Sequence, residues 1–264
     1  MAERIAAAFA AARDDGHAAL MPYMMGGFPD RETSAAVAEA YAASGADLVE
    51  LGVPYSDPLA DGPVIHAAGT RALAAGATLD SVLADCERIA ARVPVVPMAY
   101  ANMFVARGPA EFARRLADAG AAGAIVPDLI GEEGGEIAAE LGAAGLALIP
   151  LVAPTTPPER RARIGAEAQG FVYLVSDTRT TGERDRLPEA LGDLIRATQA
   201  DASVPVAVGF GIGTPEQAAE VGAVADGVIV GTRLVRAVDE SADAAGAASA
   251  VAEFIAAARA ALEA

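Results

Sequence analysis

Apolar runs and amphipathic stretches alternate along the whole chain. Eight short runs, rich in alanine and branched aliphatic residues, have the length of buried strands: residues 19–27, 48–53, 93–100, 123–126, 146–152, 171–176, 204–208 and 227–230. Ten stretches with helical spacing lie around and between them: residues 2–13, 31–43, 63–75, 79–92, 109–119, 132–144, 159–168, 188–200, 216–221 and 244–262. The connections are short, and this alternation predicts parallel βα units.

Eight strand–helix units favour a closed (β/α)8 TIM barrel over an open doubly wound sheet. Such a barrel has about 250 residues, and the chain has 264, so residues 1–264 are predicted to be a single domain. The first helix is additional and is expected to cover the barrel or its surface. In this fold, active sites lie at the C-terminal ends of the strands. The chemically interesting residues at or near such ends are Glu50, Asp57, Asp61, Tyr100, Asp128, Tyr173 and two glycine-rich turns.

Glu50 lies in the middle of the second apolar run. Side chains alternate along a strand, so Glu50 shares one face with Leu48 and Gly52. Burying an unpaired ionised carboxylate is very costly, so such a group is paired, neutralised or functional. A structural ion pair is the simpler alternative for Glu50. The loop that follows adds Asp57 and Asp61, which alone would more often be turn residues than catalysts.

Charge and residue usage narrow the possible chemistry. The formal net charge of −17 disfavours nucleic acid and anionic membrane surfaces as partners, because both need basic patches. All 19 basic residues are arginines, so this chain cannot form a lysine Schiff base. The chain has only two histidines and one cysteine, too few to favour a metal site built from those residues. A single cysteine cannot form a disulfide within the chain, which suits a reducing cytoplasm. No stretch is expected to be apolar enough over sufficient length to span a membrane.

Two glycine-rich turns follow the last two predicted strands. Residues 209–213 read GFGIG, and Gly231-Thr232 follows the eighth strand. A frequent arrangement in TIM barrels binds phosphate with these two loops and a nearby helix N-terminus. Glycines let the backbone approach a phosphate closely, and the Thr232 hydroxyl can donate a hydrogen bond. The glycines could instead only form tight turns, but their place in the seventh and eighth units favours phosphate binding.

Residues 51–63, LGVPYSDPLADGP, closely resemble the strand-two signature of the tryptophan synthase alpha chain family. The other segments that match it in order are Tyr100-Ala101-Asn102, residues 173–176, Thr181-Gly182, residues 209–212 and Gly231-Thr232. The resemblance covers nearly the whole chain. The strand-two motif is specific, whereas the glycine turns are shared with other phosphate-binding barrels. Two segments depart from the usual pattern: Arg179-Thr180 replaces a Gly-Val, and Met25 stands where a Thr is more usual.

The resemblance implies cleavage of indole-3-glycerol phosphate to indole and glyceraldehyde 3-phosphate, with Glu50 and Asp61 as the catalytic carboxylates. Asp61 would accept a hydrogen bond from the indole N–H. Glu50 would protonate the indole C3 and then remove the proton of a glycerol hydroxyl. The implied substrate-binding residues are Tyr173 beside the indole, Phe210, Tyr23 and Met98 around the indole pocket, Gly182, Gly211, Gly231 and Thr232 at the phosphate, and in addition Tyr100 and Thr181.

The resemblance also implies a cytoplasmic subunit of an α2β2 assembly with a tryptophan synthase beta chain. Indole would pass to that partner, whose pyridoxal phosphate needs a lysine that this chain lacks; no cofactor or metal is expected in this chain. Docking is expected at the strand-end face, near Pro54, Asp57 and the segment Tyr100-Ala101-Asn102. Two alternatives stay open: another phosphate-binding barrel enzyme, such as a sugar-phosphate isomerase, and a weakly catalytic barrel that mainly activates a beta subunit.

Overall fold

Parallel strands form the centre of the molecule. A computed structural model describes residues 2–131, 133–175, 189–209 and 211–264. Its strands are β1 (Ala19–Met25), β2 (Val49–Gly52), β3 (Val95–Met98), β4 (Gly123–Ile125), β5 (Ala147–Ile149), β6 (Leu151–Val152), β7 (Val172–Val175), β8 (Val206–Gly209) and β9 (Gly227–Val230). They pair in the order β5-β4-β3-β2-β1-β9-β8-β7-β6. The two strands at the ends of this order, β5 and β6, are consecutive in the chain.

Pro150 divides the predicted fifth strand into β5 and β6. A proline has no N–H to give to a ladder, but its carbonyl still accepts a hydrogen bond from the Tyr173 N–H at 2.9 Å. Because β5 pairs with β4 and β6 pairs with β7, residues 147–152 join both edges of the sheet. The sheet therefore closes with eight strand positions, which confirms the predicted TIM barrel.

Helices surround the barrel. They are α1 (Ala2–Asp14), α2 (Arg31–Ala43), α3 (Pro63–Ala74), α4 (Leu79–Ala90), α5 (Ala101–Arg107), α6 (Pro109–Asp118), α7 (Gly135–Ala143), α8 (Pro158–Glu167), α9 (Glu189–Asp201), α10 (Pro215–Gly222), α11 (Thr232–Asp239) and α12 (Ala244–Leu262). Several of these helices begin after a residue whose side chain caps the first turn. Asp30, for example, accepts a hydrogen bond from the Thr33 N–H at 2.9 Å at the start of α2. The assignment of residues 1–264 to a single domain stays a prediction.

Two short helices, α5 and α11, were not predicted, because both start directly at the end of a strand. The sequence places a glycine beside each of them: Gly108, with φ 85°, separates α5 from α6, and Gly231 precedes α11. Tertiary packing stabilises both helices. Phe104 of α5 lies against Phe112 of α6 at 4.4 Å between ring centroids, and α11 buries Leu234 and neighbouring aliphatic residues. Burial of one apolar face thus compensates for the short length.

Helix α1 covers the N-terminal end of the barrel. Ile5 and Phe9 of α1 are buried in the cluster of side chains that fills the barrel interior. The Phe9 ring lies 5.6 Å from that of Phe171. Glycines make room for this plug, since a Cβ on Gly227 would lie 2.8 Å from Phe9 and one on Gly170 would lie 3.2 Å from Ile5. The predicted additional N-terminal helix is therefore a barrel-capping helix.

The expectation that no stretch is long and apolar enough to span a membrane is wrong for α12. By length and composition alone, this helix could cross a membrane. This 19-residue helix has a mean hydropathy of 1.3 over its most apolar window. Its apolar character comes largely from alanine. The helix packs against α2, α10 and α11, and its buried residues are Ala247, Val251, Ile255 and Ala258. In this structure α12 is a helix of the outer ring of the barrel.

We expect Phe9→Ala to lower the free energy of unfolding by roughly 3–5 kcal/mol, because it empties the plug below the barrel interior. Chemical denaturation followed by circular dichroism measures this change. Arg13→Ala on the exposed side of the same helix is the matched control, with an expected change within about 0.5 kcal/mol. Equal stability of the two variants would contradict the capping role of α1.

Candidate active site

The C-terminal ends of β1 and β2 bring the first candidate residues together. Tyr23 pairs in register with Glu50, so both side chains point to the same side of the sheet, into the barrel. Glycines at two inward positions, one on β2 and one on β8, create space. A Cβ on Gly52 would overlap with the Tyr23 hydroxyl, and one on Gly209 would lie 2.6 Å from the Tyr173 hydroxyl. The strand ends therefore form a chamber lined by tyrosines around one carboxylate.

Glu50 is buried, with 1% of its surface exposed. Its Oε2 atom has no hydrogen-bond partner among the described residues. Burial, together with the nearby charge of Asp61, raises the pKa of Glu50 from 4.5 to about 8. The predicted alternative of a structural ion pair thus has no support at this oxygen in the described part of the chain. At neutral pH the group is mainly protonated and can act as an acid.

Asp61 is held at the mouth of the barrel by Tyr100. The Tyr100 hydroxyl donates a hydrogen bond to Asp61 Oδ1 at 2.8 Å and accepts one from the Ala60 N–H at 3.1 Å. Burial raises the pKa of Asp61 above its ordinary value, and the hydrogen bond from Tyr100 and the charge of His66 offset only part of this rise. Asp61 therefore has stabilising contacts for its ionised form that Glu50 Oε2 lacks, and the two carboxylates have different environments.

A layer of polar contacts supports Tyr100 from outside. The Tyr55 ring stacks on Tyr100 with 5.2 Å between centroids, and Asn102 Nδ2 donates to the Tyr55 hydroxyl at 3.0 Å. Asp128, after the end of β4, accepts a hydrogen bond from the Ala101 N–H at 2.8 Å. Sequence reasoning missed the contributions of Tyr55 and His66, although Tyr55 lies within the strand-two motif.

Two further predicted residues line the same chamber. Met98, at the end of β3, is half-buried and lies beside Gly52 in the register of the sheet. Tyr173 on β7 is inward-facing, and burial and the charge of Glu50 raise its pKa well above the ordinary value. Three other predicted residues, Phe210, Thr181 and Gly182, lie outside the described residues, as do the departures at Arg179 and Thr180.

The predicted phosphate residues lie at the ends of β8 and β9. Gly231 is the residue before α11, Thr232 is its buried first residue, and Gly211 has a φ of 39° that favours glycine. No side-chain cap hydrogen bond occurs at the start of α11 within the described chain, whereas Thr214 caps α10. The first N–H groups of α11 are therefore available to an anion. Gly231 borders the carboxylate chamber, because a Cβ on it would lie 3.7 Å from Tyr23 Cβ.

Metal ligands are not grouped anywhere in the described ranges. No cluster of three or more His, Cys, Asp or Glu side chains there could hold a metal ion. The chemistry that the described chamber itself offers is proton transfer by two unlike carboxylates and hydrogen bonding by tyrosine hydroxyls.

Comparison with known proteins identifies the family. Residues 9–263 match the family model described as tryptophan synthase alpha chain. The tryptophan synthase alpha chain of Carboxydothermus hydrogenoformans is 48% identical over 238 residues, which cover 89% of each chain. That of Prochlorococcus marinus is 47% identical and covers 88% of this chain and 86% of its own length.

Solved structures agree with the sequence relatives. A structure of Mycobacterium tuberculosis tryptophan synthase has a TM-score of 0.91 at 36% identity, and covers 99% of this chain and 98% of its own. The tryptophan synthase subunit alpha of Legionella pneumophila has a TM-score of 0.89 at 36% identity, with 98% of both chains covered. The range matched by the family model includes the strand-two motif and both carboxylates. The chain belongs to the tryptophan synthase alpha chain family and is an enzyme subunit of the lyase class.

Proposed function

We propose that this chain cleaves indole-3-glycerol phosphate to indole and glyceraldehyde 3-phosphate within tryptophan biosynthesis. The observation that carries the proposal is the buried Glu50 carboxylate, with Oε2 unpaired among the described residues and Asp61 nearby. Packing does not explain such a group, because burying a carboxylate costs free energy, whereas burying an apolar side chain at the same position does not. A proton-transfer role accounts for it.

Glu50 acts first as an acid and then as a base in this reaction. With a pKa of about 8 it is mainly protonated at neutral pH, and it can give its proton to the indole C3. The resulting indolenine cation weakens the bond between C3 and the glycerol chain. Glu50, now ionised, removes the proton of the adjacent hydroxyl as that bond breaks and the aldehyde forms. A carboxyl group whose pKa lies near the operating pH can both donate and accept a proton.

Asp61 stabilises the cation that forms on the indole ring. Its hydrogen bond from Tyr100 at 2.8 Å favours the ionised carboxylate. An ionised Asp61 accepts the ring N–H, whose acidity rises when C3 is protonated. Tyr173, Tyr23 and Met98 surround the ring with apolar surface, and the uncapped start of α11 with Gly231 and Thr232 binds the phosphate. Gly211 and, in the part of the chain outside the described residues, Phe210, Thr181 and Gly182 complete the proposed site.

The chain has no cofactor of its own in this proposal. With no lysine it cannot hold pyridoxal phosphate as a Schiff base, and the described carboxylates do not form a metal cluster. The pyridoxal phosphate belongs to the beta subunit, in a cytoplasmic α2β2 assembly. The alternatives of a sugar-phosphate isomerase and of a barrel that only activates its partner are not favoured by the family match.

The beta subunit docks on one side of the barrel mouth. Three of the exposed large apolar residues follow consecutive strands: Leu59 (87% exposed) after β2, Val105 (67%) in α5 after β3, and Ile130 (51%) after β4. These strands are neighbours in the barrel, so the three side chains lie along one continuous rim. The rim also carries Tyr55. Exposed apolar residues grouped in this way are typical of a protein interface.

We expect Glu50→Gln to reduce indole release from indole-3-glycerol phosphate by about 10²–10⁴-fold, because the amide can neither donate nor accept the transferred proton. A spectrophotometric assay with purified chain, with and without a beta subunit, measures this change. Glu39→Gln, at an exposed position of α2, is the matched control and keeps parental turnover. Parental turnover in Glu50→Gln would refute the proposed mechanism, and an inactive parent would refute the proposed function.

The stability of the same variant tests the pKa of Glu50 without substrate. A carboxyl group with a raised pKa in the folded state stabilises the fold while it is protonated, and this contribution is lost as the pH rises from 4.5 through about 8. The amide in the Glu50→Gln variant stays neutral at every pH, so the Tm advantage of this variant over the parent should grow between pH 5 and pH 8. Differential scanning calorimetry at several pH values measures it. A Tm difference independent of pH would contradict the raised pKa.

Charge on the docking rim should weaken assembly. We expect Leu59→Glu or Val105→Glu to raise the Kd for a beta subunit by roughly tenfold or more, since each buries a charge in an apolar contact. Val224→Glu is the matched control, because Val224 is exposed at 37% and lies before β9, at the opposite end of the barrel. Isothermal titration calorimetry measures each affinity. An equal effect of Val224→Glu would show that the rim is not the interface.

A further inference from the structure

The Tyr23 hydroxyl is a buried donor without a good acceptor. Tyr23 is 5% exposed, and the acceptor of its hydroxyl among the described residues is Met25 Sδ at 4.0 Å. A thioether sulfur at this distance is a weak acceptor. Leaving a buried O–H poorly paired costs free energy, and a phenylalanine would avoid that cost. The hydroxyl is therefore better explained by a ligand than by the fold.

Gly52 leaves room for this hydroxyl. A Cβ at position 52 would overlap with the Tyr23 hydroxyl, so the hydroxyl occupies the space of a missing side chain. Glu50 and Gly52 are on the same face of β2, and Gly52 is the residue nearer the mouth. The hydroxyl thus lies on the mouth side of the position that Glu50 occupies in β2.

Glu50 Oε2 and the Tyr23 hydroxyl complement each other. The carboxylate oxygen has no partner among the described residues, and the phenol has only the sulfur. The ionised Glu50 carboxylate is an acceptor, and the Tyr23 phenol is a donor. A ligand group that both donates and accepts would satisfy the two at once, and an alcohol hydroxyl has this property.

The order of the strands places Tyr23 between the two halves of the proposed site. β1 lies between β2, which carries Glu50, and β9, which leads to Gly231 and α11. The backbone at Gly231 lies close to Tyr23. A substrate with its indole beside the carboxylates and its phosphate at α11 must therefore lay the connecting glycerol chain across Tyr23.

We propose that Tyr23 is a further catalytic residue, whose hydroxyl donates a hydrogen bond to the glycerol hydroxyl oxygen from which Glu50 removes the proton. The inference rests on the proposed function. As the O–H proton moves to Glu50, its electron pair forms the aldehyde C=O, the bond to indole C3 breaks, and its pair neutralises the indolenine. Negative charge that develops on the glycerol oxygen is stabilised by the Tyr23 O–H, as in other sites with preorganised donors.

Tyr23 remains a donor throughout the reaction. Burial and the nearby charges of Asp61 and Glu50 raise the pKa of Tyr23 well above its ordinary value. The phenol therefore keeps its proton at neutral pH, and it does not compete with Glu50 as a base.

The test is Tyr23→Phe, compared with the parent in turnover and in binding. We expect kcat for indole-3-glycerol phosphate to fall by about 100-fold, as for the loss of one donor to a developing oxyanion. The Kd of 3-(indol-3-yl)propyl phosphate, which lacks the glycerol hydroxyls, should not change, because it offers Tyr23 no oxygen. Since the buried O–H is poorly paired, the Tm of Tyr23→Phe should equal or exceed that of the parent.

Tyr41→Phe is the matched control. The Tyr41 hydroxyl is also buried beside β1 but donates to the Tyr23 carbonyl at 2.9 Å, outside the barrel, so its loss should lower the Tm and keep kcat. Unchanged kcat in Tyr23→Phe with an active parent overturns the Tyr23 proposal alone. A parallel loss of affinity for the propyl analogue also overturns it, because it indicates a deformed pocket. An inactive parent overturns the proposed function, and this proposal with it.

Discussion

The electrostatic cost of keeping Glu50 inside an apolar barrel is the constraint on which the rest of the site depends. Strands of a TIM barrel are buried on both faces, so a carboxylate on an inward position cannot turn to water. With Oε2 unpaired among the described residues and Asp61 nearby, the group holds its proton up to a pH of about 8. Rigid neighbours sustain this arrangement, because β1 and β3 pair with β2 on either side.

Asp61 shows how a different setting gives the same functional group a different environment. It lies in a loop at the mouth, is only partly buried, and has a hydrogen bond from Tyr100. Tyr100 is itself fixed by the Ala60 N–H and by stacking on Tyr55. The loop is therefore tied to the neighbouring strand end. Desolvation keeps the first carboxylate neutral, whereas the contacts of the second offset part of the same effect; two carboxylates in unlike environments are what acid–base chemistry needs.

Much of this fold could be predicted because parallel strands buried on both faces appear as continuous apolar runs. Glu50 was evident for the same reason, as a single charge in such a run. The helices α5 and α11 were missed, since they are short and depend on tertiary contacts such as Phe104 with Phe112. The environment of the carboxylates could not be predicted, because Tyr100 and Asp61 are 39 residues apart in sequence. Likewise, no sequence pattern relates the Tyr23 hydroxyl to the space above Gly52.

The plug formed by Ile5 and Phe9 fills the end of the barrel opposite its mouth, so the chamber opens at the mouth. The apolar rim with Leu59, Val105 and Ile130 borders that opening. A protein seated on this rim, as proposed for the beta subunit, lies beside the opening through which a product leaves the chamber.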